Sequence, residues 1–238
     1  MNKGIYSAIF GSLTEQIRFN IITNNLANIN SIGFKKEHSI SVSRSFGSYL
    51  KDYSQVKVEH TPINFSQGEL QFTGNQWDIA IKGRGFLKVQ TPRGIRFTRK
   101  GNLSIDPEGV LVTKEGFPVL GKQGKITLPP KLDTINIDNF GVISSNGRNL
   151  GQLDIVDFSN YSGLKKDGLG FFKTTQQPIT SKEYTISQGY LEGSNVNVVE
   201  EMVGMIESLR NYESYQKVIQ TFIEADHQSI TQIGTIKT

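Results

Sequence analysis

The two ends of the chain lack proline and have helical periodicity, which constrains the fold more than any other feature. Near the C-terminus, a spacing of four and then three residues runs from Met205 to Ile233, and seven of these nine positions are apolar or aromatic. A heptad pattern of this length predicts a long helix over about 197–233 with a coiled-coil-like seam. Asn197, with Glu200 three residues later, predicts its N-terminal cap. The apolar and aromatic seam positions are Met205, Leu209, Tyr212, Ile219, Ile223, Ile230 and Ile233.

The N-terminal segment, residues 4–28, also predicts a helix. Gly11, Arg18 and Asn25 share one narrow polar strip of this helix, and apolar residues occupy most of the remaining surface. An apolar arc this wide is typical of a helix that has neighbours on several sides. We expect the helix to end within residues 28–33, where Asn and Gly tolerate a left-handed cap. Its predicted seam residues are Ile5, Ile9, Leu13, Ile17 and Leu26.

The middle of the chain, residues 66–189, contains short runs rich in Val, Ile, Phe and Thr that are separated by turn signals. The turns include Thr91–Gly94, Asp106–Gly109 and Asn146-Gly147, which suit type I turns and a tight hairpin. Strands and turns at such regular spacing predict an antiparallel all-β domain. Its core is expected to contain Trp77, which is the only tryptophan.

The predicted fold class is therefore α+β, with paired terminal helices and an antiparallel all-β domain inserted between them. We expect a discontinuous helical domain over residues 1–34 and 190–238, an extended connecting segment over 35–65, and the β domain over 66–189. The two ends carry opposite net charge, +3 over residues 1–36 and −4 over 190–238, which favours their pairing. Two helices alone leave apolar surface uncovered, so the chain is expected to associate with its own copies or with other proteins.

The composition excludes several kinds of chemistry. The 238 residues include no cysteine, which removes disulfides, thiolate metal sites and cysteine nucleophiles, and the three His are scattered. No apolar run is long enough to span a membrane, and the N-terminus lacks the pattern of a cleavable signal peptide. No dense Lys/Arg run indicates nucleic acid. We expect no cofactor, no metal ion, no nucleic-acid partner and no small-molecule substrate.

Two glycine motifs have part of the spacing of nucleotide-binding loops. Gly116–Gln123 has the GxxxxGK spacing, but Gln123 stands where Ser or Thr would hold magnesium, and Pro118 lacks an N–H that the loop would use. Gly83–Gly85 lacks the third glycine and the following helix of a dinucleotide fingerprint. Both segments predict turns between strands. The acid pairs along the chain are expected to be solvated, so no catalytic residue is assigned.

Three motifs, in this order, resemble those of the flagellar axial proteins, a family of rod, hook and hook-associated proteins. The first is Thr23–Lys36, with the sequence TNNLANINSIGFKK. The second includes Trp77–Gly83 (WDIAIKG) and Gly116–Gly121 (GFPVLG), and the third is Gly189–Val196 (GYLEGSNV). The resemblance covers nearly the whole chain. The motif residues at its two ends are Asn24, Asn25, Leu26, Asn28, Gly33, Phe34, Gly193, Ser194, Asn195 and Val196.

The resemblance implies a structural subunit of the bacterial flagellar basal-body rod. Such subunits assemble helically with their own copies and with other axial proteins into the drive shaft that transmits torque from motor to hook, with the terminal helices inside and the β domain outside. They are exported unfolded through the flagellar type III apparatus without a cleaved signal peptide. Only about thirty residues separate Gly33-Phe34 from Gln67-Gly68, and this short spacing favours the proximal-rod type, because the distal-rod type has a longer insertion.

Other functions stay open at this point. A distal-rod or other hook–basal-body protein is the alternative within the same resemblance. A cell-wall-acting enzyme would need a carboxylate pair in a cleft, with one member of raised pKa. A binding module would act through the β domain and would not need the terminal helices.

Overall fold

The computed structural model describes residues 2–38, 62–129, 134–181 and 183–235. Most of the predicted connecting segment, residues 39–61, therefore lies outside the described residues. Described residues include two helices and many antiparallel strands, so the predicted α+β class is confirmed.

The chain divides into two compact units. The helical unit includes both ends of the chain, Met1–Ala27 and Asn197–Thr238. The β unit includes Asn28–Lys36 and Pro62–Val196. The second half of the N-terminal motif, from Asn28 onward, thus belongs to the β unit.

The helical unit contains helix α1, Asn2–Ala27, and helix α2, Val198–Thr235. The structure describes the side chains of α1 from Gly4 onward and those of α2 as far as Thr231. The predicted cap of α2 is confirmed, because Asn197 Oδ1 accepts hydrogen bonds from the N–H groups of Val199 (3.0 Å) and Glu200 (3.3 Å).

The described part of the β unit contains short strands that pair in an antiparallel manner. The strands are β1 Leu70–Phe72, β2 Ile79–Gly83, β3 Phe86–Thr91, β4 Gly94–Thr98, β5 Leu103–Ile105, β6 Leu111–Thr113, β7 Leu120–Gly121, β8 Gly124–Lys125, β9 Asn136–Ile137, β10 Val142–Ser145, β11 Arg148–Gln152, β12 Ile155–Asp157, β13 Lys165–Lys166, β14 Phe171–Lys173, β15 Ile179–Thr180, β16 Tyr184–Gln188 and β17 Tyr190–Glu192. They form a six-stranded sheet, in the order β13-β14-β4-β3-β12-β15, a three-stranded sheet, β11-β10-β9, and the two-stranded pairs β1-β17, β16-β2, β5-β6 and β7-β8.

Several predicted turns connect strands as expected. Thr91 and Gly94 face each other at the end of the β3–β4 hairpin. Asn146 and Gly147 have φ angles of 49° and 76°, as the tight β10–β11 hairpin requires. Gly121 pairs with Gly124 in a further hairpin, β7–β8, so the loop with nucleotide-binding spacing lies between strands and has no helix after it.

Two apolar clusters form the core of the β unit. The larger one includes Ile79, Leu87 and Leu153, and Trp77 packs against it as a partly buried side chain. The smaller one is aromatic: Phe86 contacts Phe158 and Phe172, with ring centroids 5.9 Å and 5.8 Å away. These contacts give the β unit a core of its own.

Candidate assembly site

Helices α1 and α2 run antiparallel and contact each other over most of the length of α1. Asn25, near the end of α1, contacts Glu201 in the first turns of α2. Gly4, near the start of α1, faces Phe222. The contact line on α2 therefore extends over six turns of helix, at about 3.6 residues per turn.

Two glycines of α1 make room for aromatic rings of α2. A Cβ atom built on Gly11 would lie 2.4 Å from the Tyr215 ring, and one built on Gly4 would lie 2.6 Å from the Phe222 ring. Gly4 and Gly11 are seven residues apart, as are Tyr215 and Phe222, so the same contact repeats after two helical turns. Both contacts are possible only because glycine lacks a side chain.

Polar groups make further contacts between the helices, in addition to the apolar side chain of Ile22, which faces Gly204. Ser208 Oγ donates a hydrogen bond to the backbone oxygen of Glu15 (2.9 Å), and Gln216 Nε2 donates to Ser12 Oγ (3.2 Å). Ser208 and Ser12 are both buried. Hydrogen-bonded polar pairs of this kind define one register, because a slip would leave buried polar groups without partners.

Charged and amide groups also bridge the helices. Arg18 Nη2 lies 3.3 Å from Glu207 Oε2, so charges of the two ends of the chain do pair here. Asn25, which is 1% exposed, donates from Nδ2 to the backbone oxygen of Glu37 (2.9 Å) and to Glu201 Oε2 (3.1 Å). Asn25 Oδ1 accepts from the N–H of Glu37 (3.0 Å). This motif residue thus holds three chain segments together within the helical unit.

The predicted seam residues lie mostly beside this contact line. The contacts on α2 are made by Glu201, Gly204, Ser208, Tyr215, Gln216 and Phe222. The seam residues Ile5, Leu13, Ile17, Leu26, Met205, Tyr212 and Ile219 are half-buried, Ile9, Leu209, Ile223 and Ile230 are exposed, and the side chain of Ile233 lies outside the described residues. The single chain therefore leaves several seam positions open to solvent.

The motif residues around the end of α1 have different surroundings. Asn24 and Leu26 lie on α1, where Asn24 is exposed and Leu26 is half-buried. Asn28 lies in the β unit, in the turn that follows α1, and its Oδ1 accepts a hydrogen bond from Ser31 Oγ (3.0 Å).

The structure brings the other motif residues together in one clasp, formed by Gly33–Lys36 and Glu192–Val196 of the β unit. The N–H of Gly33 donates to the backbone oxygen of Glu192 (2.7 Å), and the N–H of Lys36 donates to Asn195 Oδ1 (2.7 Å). The N–H of Asn195 donates in turn to the backbone oxygen of Phe34 (3.4 Å).

Glycine is required in the clasp at position 33. Gly33 has a φ of +65°, and a Cβ atom built on it would lie 2.8 Å from the backbone carbon of Arg99. Gly193 and Ser194 make local contacts: the N–H of Gly193 donates to the backbone oxygen of Glu69 (2.8 Å), and Ser194 Oγ accepts from the N–H of Val196 (3.3 Å).

Three charged side chains are buried behind the clasp. Lys35 Nζ donates to Glu192 Oε1 (2.5 Å) and to the backbone oxygen of Ser66 (2.7 Å). Arg99 Nη1 lies 3.4 Å from Glu192 Oε2 and 2.9 Å from the backbone oxygen of Ile81. Burial lowers the pKa of the Lys35 ammonium and of the Arg99 guanidinium, although Glu192 acts in the opposite direction on both.

Carboxylates of the β unit outside this cluster form ion pairs with neighbouring cations. Asp154 Oδ2 lies 3.3 Å from Lys88 Nζ, and Asp167 lies 2.7 Å from both Arg96 Nε and Lys173 Nζ. Among the described residues, no group of three or more His, Asp or Glu side chains could hold a metal ion. No helix in that part of the chain is long and apolar enough to cross a membrane.

Comparison with known proteins matches both the helical and the β segments. Family models match at residues 5–35 (flagella basal body rod protein), 80–145 (flagellar hook protein FlgE/F/G D1 domain) and 187–230 (flagellar basal body rod FlgEFG protein C-terminal). The flagellar basal-body rod protein FlgF of Caulobacter vibrioides is 35% identical over 99% of this chain and 100% of its own length. The chain belongs to the flagellar basal-body rod protein family.

Two further members of the family also match this chain. FlgG of Buchnera aphidicola subsp. Acyrthosiphon pisum is 37% identical over 87% of this chain and 90% of its own length. FlgF of Mesorhizobium japonicum is 27% identical over 99% of both chains. Membership makes this chain a structural subunit of the bacterial flagellar basal-body rod, located in the flagellum basal body, as the sequence motifs predict.

The family matches at the two ends of the chain include most of the contact line between the helices and most of the clasp. The match at residues 5–35 extends from the start of α1 to Lys35 in the clasp. The match at residues 187–230 includes Glu192 of the clasp and most of α2. Both sites are therefore made from the parts of the chain that the rod-protein models describe.

The predicted site residues include Asn25 but not Gly4, Gly11, Tyr215 or Phe222, and they do not include the buried charges of Lys35, Arg99 and Glu192. The spacing of seven shared by Gly4 and Gly11 with Tyr215 and Phe222 is a signal that could have found the contact line. The interaction of Lys35, Glu192 and Arg99 has no comparable signal, because it joins residues far apart in the chain.

Proposed function

We propose that this chain is a proximal-rod subunit that assembles helically through its terminal helices with its own copies and with other rod proteins. It acts by packing and without catalysis, and it transmits torque from motor to hook as part of the drive shaft. The observation that carries this proposal is the contact line between α1 and α2, which leaves several apolar side chains of α2 exposed.

The intrachain contact supports a coiled-coil-like pairing. The contacts of Gly4, Gly11 and Asn25 with Phe222, Tyr215 and Glu201 keep one register, in which steps of seven along α1 match steps of seven along α2. That repeat is typical of coiled coils. The polar groups along the line favour this register over others.

Exposed apolar side chains of α2 supply the proposed contact with neighbouring subunits. Val199 is 70% exposed, and Ile206 and Leu209 are about half-exposed. Burying a side chain of this kind contributes roughly 1.5–3 kcal/mol. Several such contacts in each subunit, repeated along a helical lattice, would make a stiff shaft. The seam residues of α2 are proposed to contribute to these contacts between subunits.

The proximal-rod type is supported by the lengths of the relatives. The FlgF relatives of Caulobacter and Mesorhizobium match over 99% of this chain, whereas FlgG relatives match over 87–93% of it. The short spacing between Gly33-Phe34 and Gln67-Gly68 has the same implication. Export as an unfolded chain through the type III apparatus is proposed from the family resemblance, and a chain without cysteine needs no disulfide to form after export.

The substitution Leu209→Asp tests the proposed contact surface. A strain carrying only this variant is expected to lose motility in soft agar, because the new charge would be buried between subunits. Ser214→Asp is the matched control, since it places the same side chain at another exposed position of α2, and it should leave motility intact. Trp77 fluorescence of both purified variants should report a folded β unit. Normal motility of the Leu209→Asp strain would refute the proposal.

A further inference from the structure

The buried charges behind the clasp are out of balance. Lys35 and Glu192 are 0% exposed and Arg99 is 3% exposed, so two cations share one fully buried carboxylate. Arg99 Nε has no hydrogen-bond partner among the described residues. Asp157 also attracts the Arg99 guanidinium, but it makes its own ion pair with Arg84, 3.0 Å away.

Glu192 is the group on which the whole cluster depends. Its Oε1 accepts from Lys35 Nζ (2.5 Å) and from the N–H of Gly68 (3.0 Å), and its Oε2 faces Arg99 Nη1 (3.4 Å). Its backbone oxygen also holds Gly33 in the clasp. Removing one partner from a buried ionic cluster is strongly destabilising, because it leaves an uncompensated charge. Here the loss of one carboxylate would leave two such charges.

Both cations of this cluster come before the carboxylate in the sequence. Lys35 follows α1, Arg99 follows β4, and Glu192 is the final residue of β17, which is the last strand before α2 in the sequence. A chain that emerges N-terminus first therefore presents both cations long before the carboxylate that compensates them. Until Glu192 arrives, a closed β unit would have to bury two cations without this anion.

We infer that Glu192 is a completion lock: the β unit becomes stable only when residue 192 has joined Lys35 and Arg99. The lock closes after every part of the chain except α2 is available. A role of this lock in export rests on the proposed type III route. There it would keep the β unit from folding before the whole chain has passed through the export apparatus. The lock itself is a property of the single folded chain and does not depend on that route.

The test compares the urea-induced unfolding of full-length variants, followed by the fluorescence of Trp77 in the β unit. Glu192→Gln removes the charge and keeps the shape, and it should raise the equilibrium constant of unfolding by roughly 100-fold to several thousand-fold. Lys35→Met removes the excess cation and leaves the Glu192–Arg99 pair balanced, so it should raise that constant by less than about 10-fold. Glu69→Gln, at an exposed glutamate beside β1, is the matched control and should have no effect.

The double variant Lys35→Met/Glu192→Gln keeps the test decisive if Glu192→Gln alone fails to fold. The lock predicts that the double variant is more stable than Glu192→Gln, since one of the two uncompensated cations is gone. If Lys35→Met and Glu192→Gln raise the equilibrium constant of unfolding equally, Lys35 and Glu192 form an ordinary ion pair and the inference is overturned. A double variant no more stable than Glu192→Gln would also overturn it.

Refolding kinetics test whether the lock closes late. A contact that forms after the transition state changes the unfolding rate and leaves the refolding rate nearly unchanged. For whichever of Glu192→Gln or the double variant folds, the lock predicts faster unfolding and refolding within about 2-fold of the unmodified chain. A refolding rate that falls in proportion to the lost stability would show that Glu192 joins early. All these measurements use purified monomer, so they can succeed or fail independently of rod assembly.

Discussion

The β unit and helix α2 differ in the kind of side chain that they bury. In the β unit, Ile79, Phe86 and Leu87 have no exposed surface and belong to apolar clusters. Among the described side chains of α2, only Glu201 and Ser208 are buried, and both are polar. Apolar side chains of α2 such as Val199 and Leu209 are thus open to contact with neighbours, whereas α1 buries Ala8, Ile21 and Ile22.

This difference indicates where each unit obtains its stability. Apolar burial is the dominant favourable contribution to folding, and the β unit achieves it within one chain. In the helical unit, α1 buries Ala8, Ile21 and Ile22, but no apolar side chain in the described part of α2 is fully buried, and helices with little apolar burial are marginal in water. We therefore expect the β unit to fold on its own and the terminal helices to gain much of their stability from other subunits.

The largest expected effect is in the β unit. Phe86→Ala should destabilise it by about 3–5 kcal/mol, because it leaves a cavity among aromatic rings. Urea unfolding followed by Trp77 fluorescence measures this loss. Phe140→Ala removes a ring that is 67% exposed. It should lower the free energy of unfolding by less than about 1 kcal/mol. Similar losses for both variants would contradict the assignment of the core.

A second prediction concerns the fit of the two helices. Gly11→Ala should abolish or strongly reduce motility, since its Cβ would lie 2.4 Å from the Tyr215 ring. Gly204→Ala is the matched control, because its Cβ would lie 3.4 Å from Ile22, which is close to an ordinary contact. Both changes raise helix propensity by about 1 kcal/mol, so propensity cannot explain a difference between them.

Soft-agar motility of strains with each glycine variant is the measurement. Adding Tyr215→Ala to Gly11→Ala should restore part of the motility, because it removes the ring that the new methyl group meets. Equal motility of the Gly11→Ala and Gly204→Ala strains would mean that the close contact at Gly11 does not matter for the rod.

Much of the fold could be predicted from local signals. The heptad spacing and Asn197 predict α2, and the turn residues at Asn146-Gly147 predict a hairpin that the structure has. Strands such as β13 and β15 have only two residues. Such strands exist because the neighbouring strands hold them, so no local pattern predicts them.

The assembly site was only partly predictable for a similar reason. The apolar pattern of Leu209 and Ile223 predicts a surface that must be covered, but it does not tell whether α1 or another subunit covers it. The contact line itself joins small and polar residues, such as Gly11 and Ser208, with aromatic rings of α2, and the small and polar residues show no hydrophobic periodicity. Lys35 and Glu192 meet only because the β unit brings distant segments together.

Amide hydrogen exchange of the full-length chain as a dilute monomer tests the central claim most directly. Exchange rates report the local free energy of opening. The account predicts strong protection in β2, β3 and β4, together with rapid exchange throughout α1 and α2 that becomes slow in assembled rods. Helices as well protected in the monomer as the β strands would contradict the claim that the helical unit depends on its neighbours.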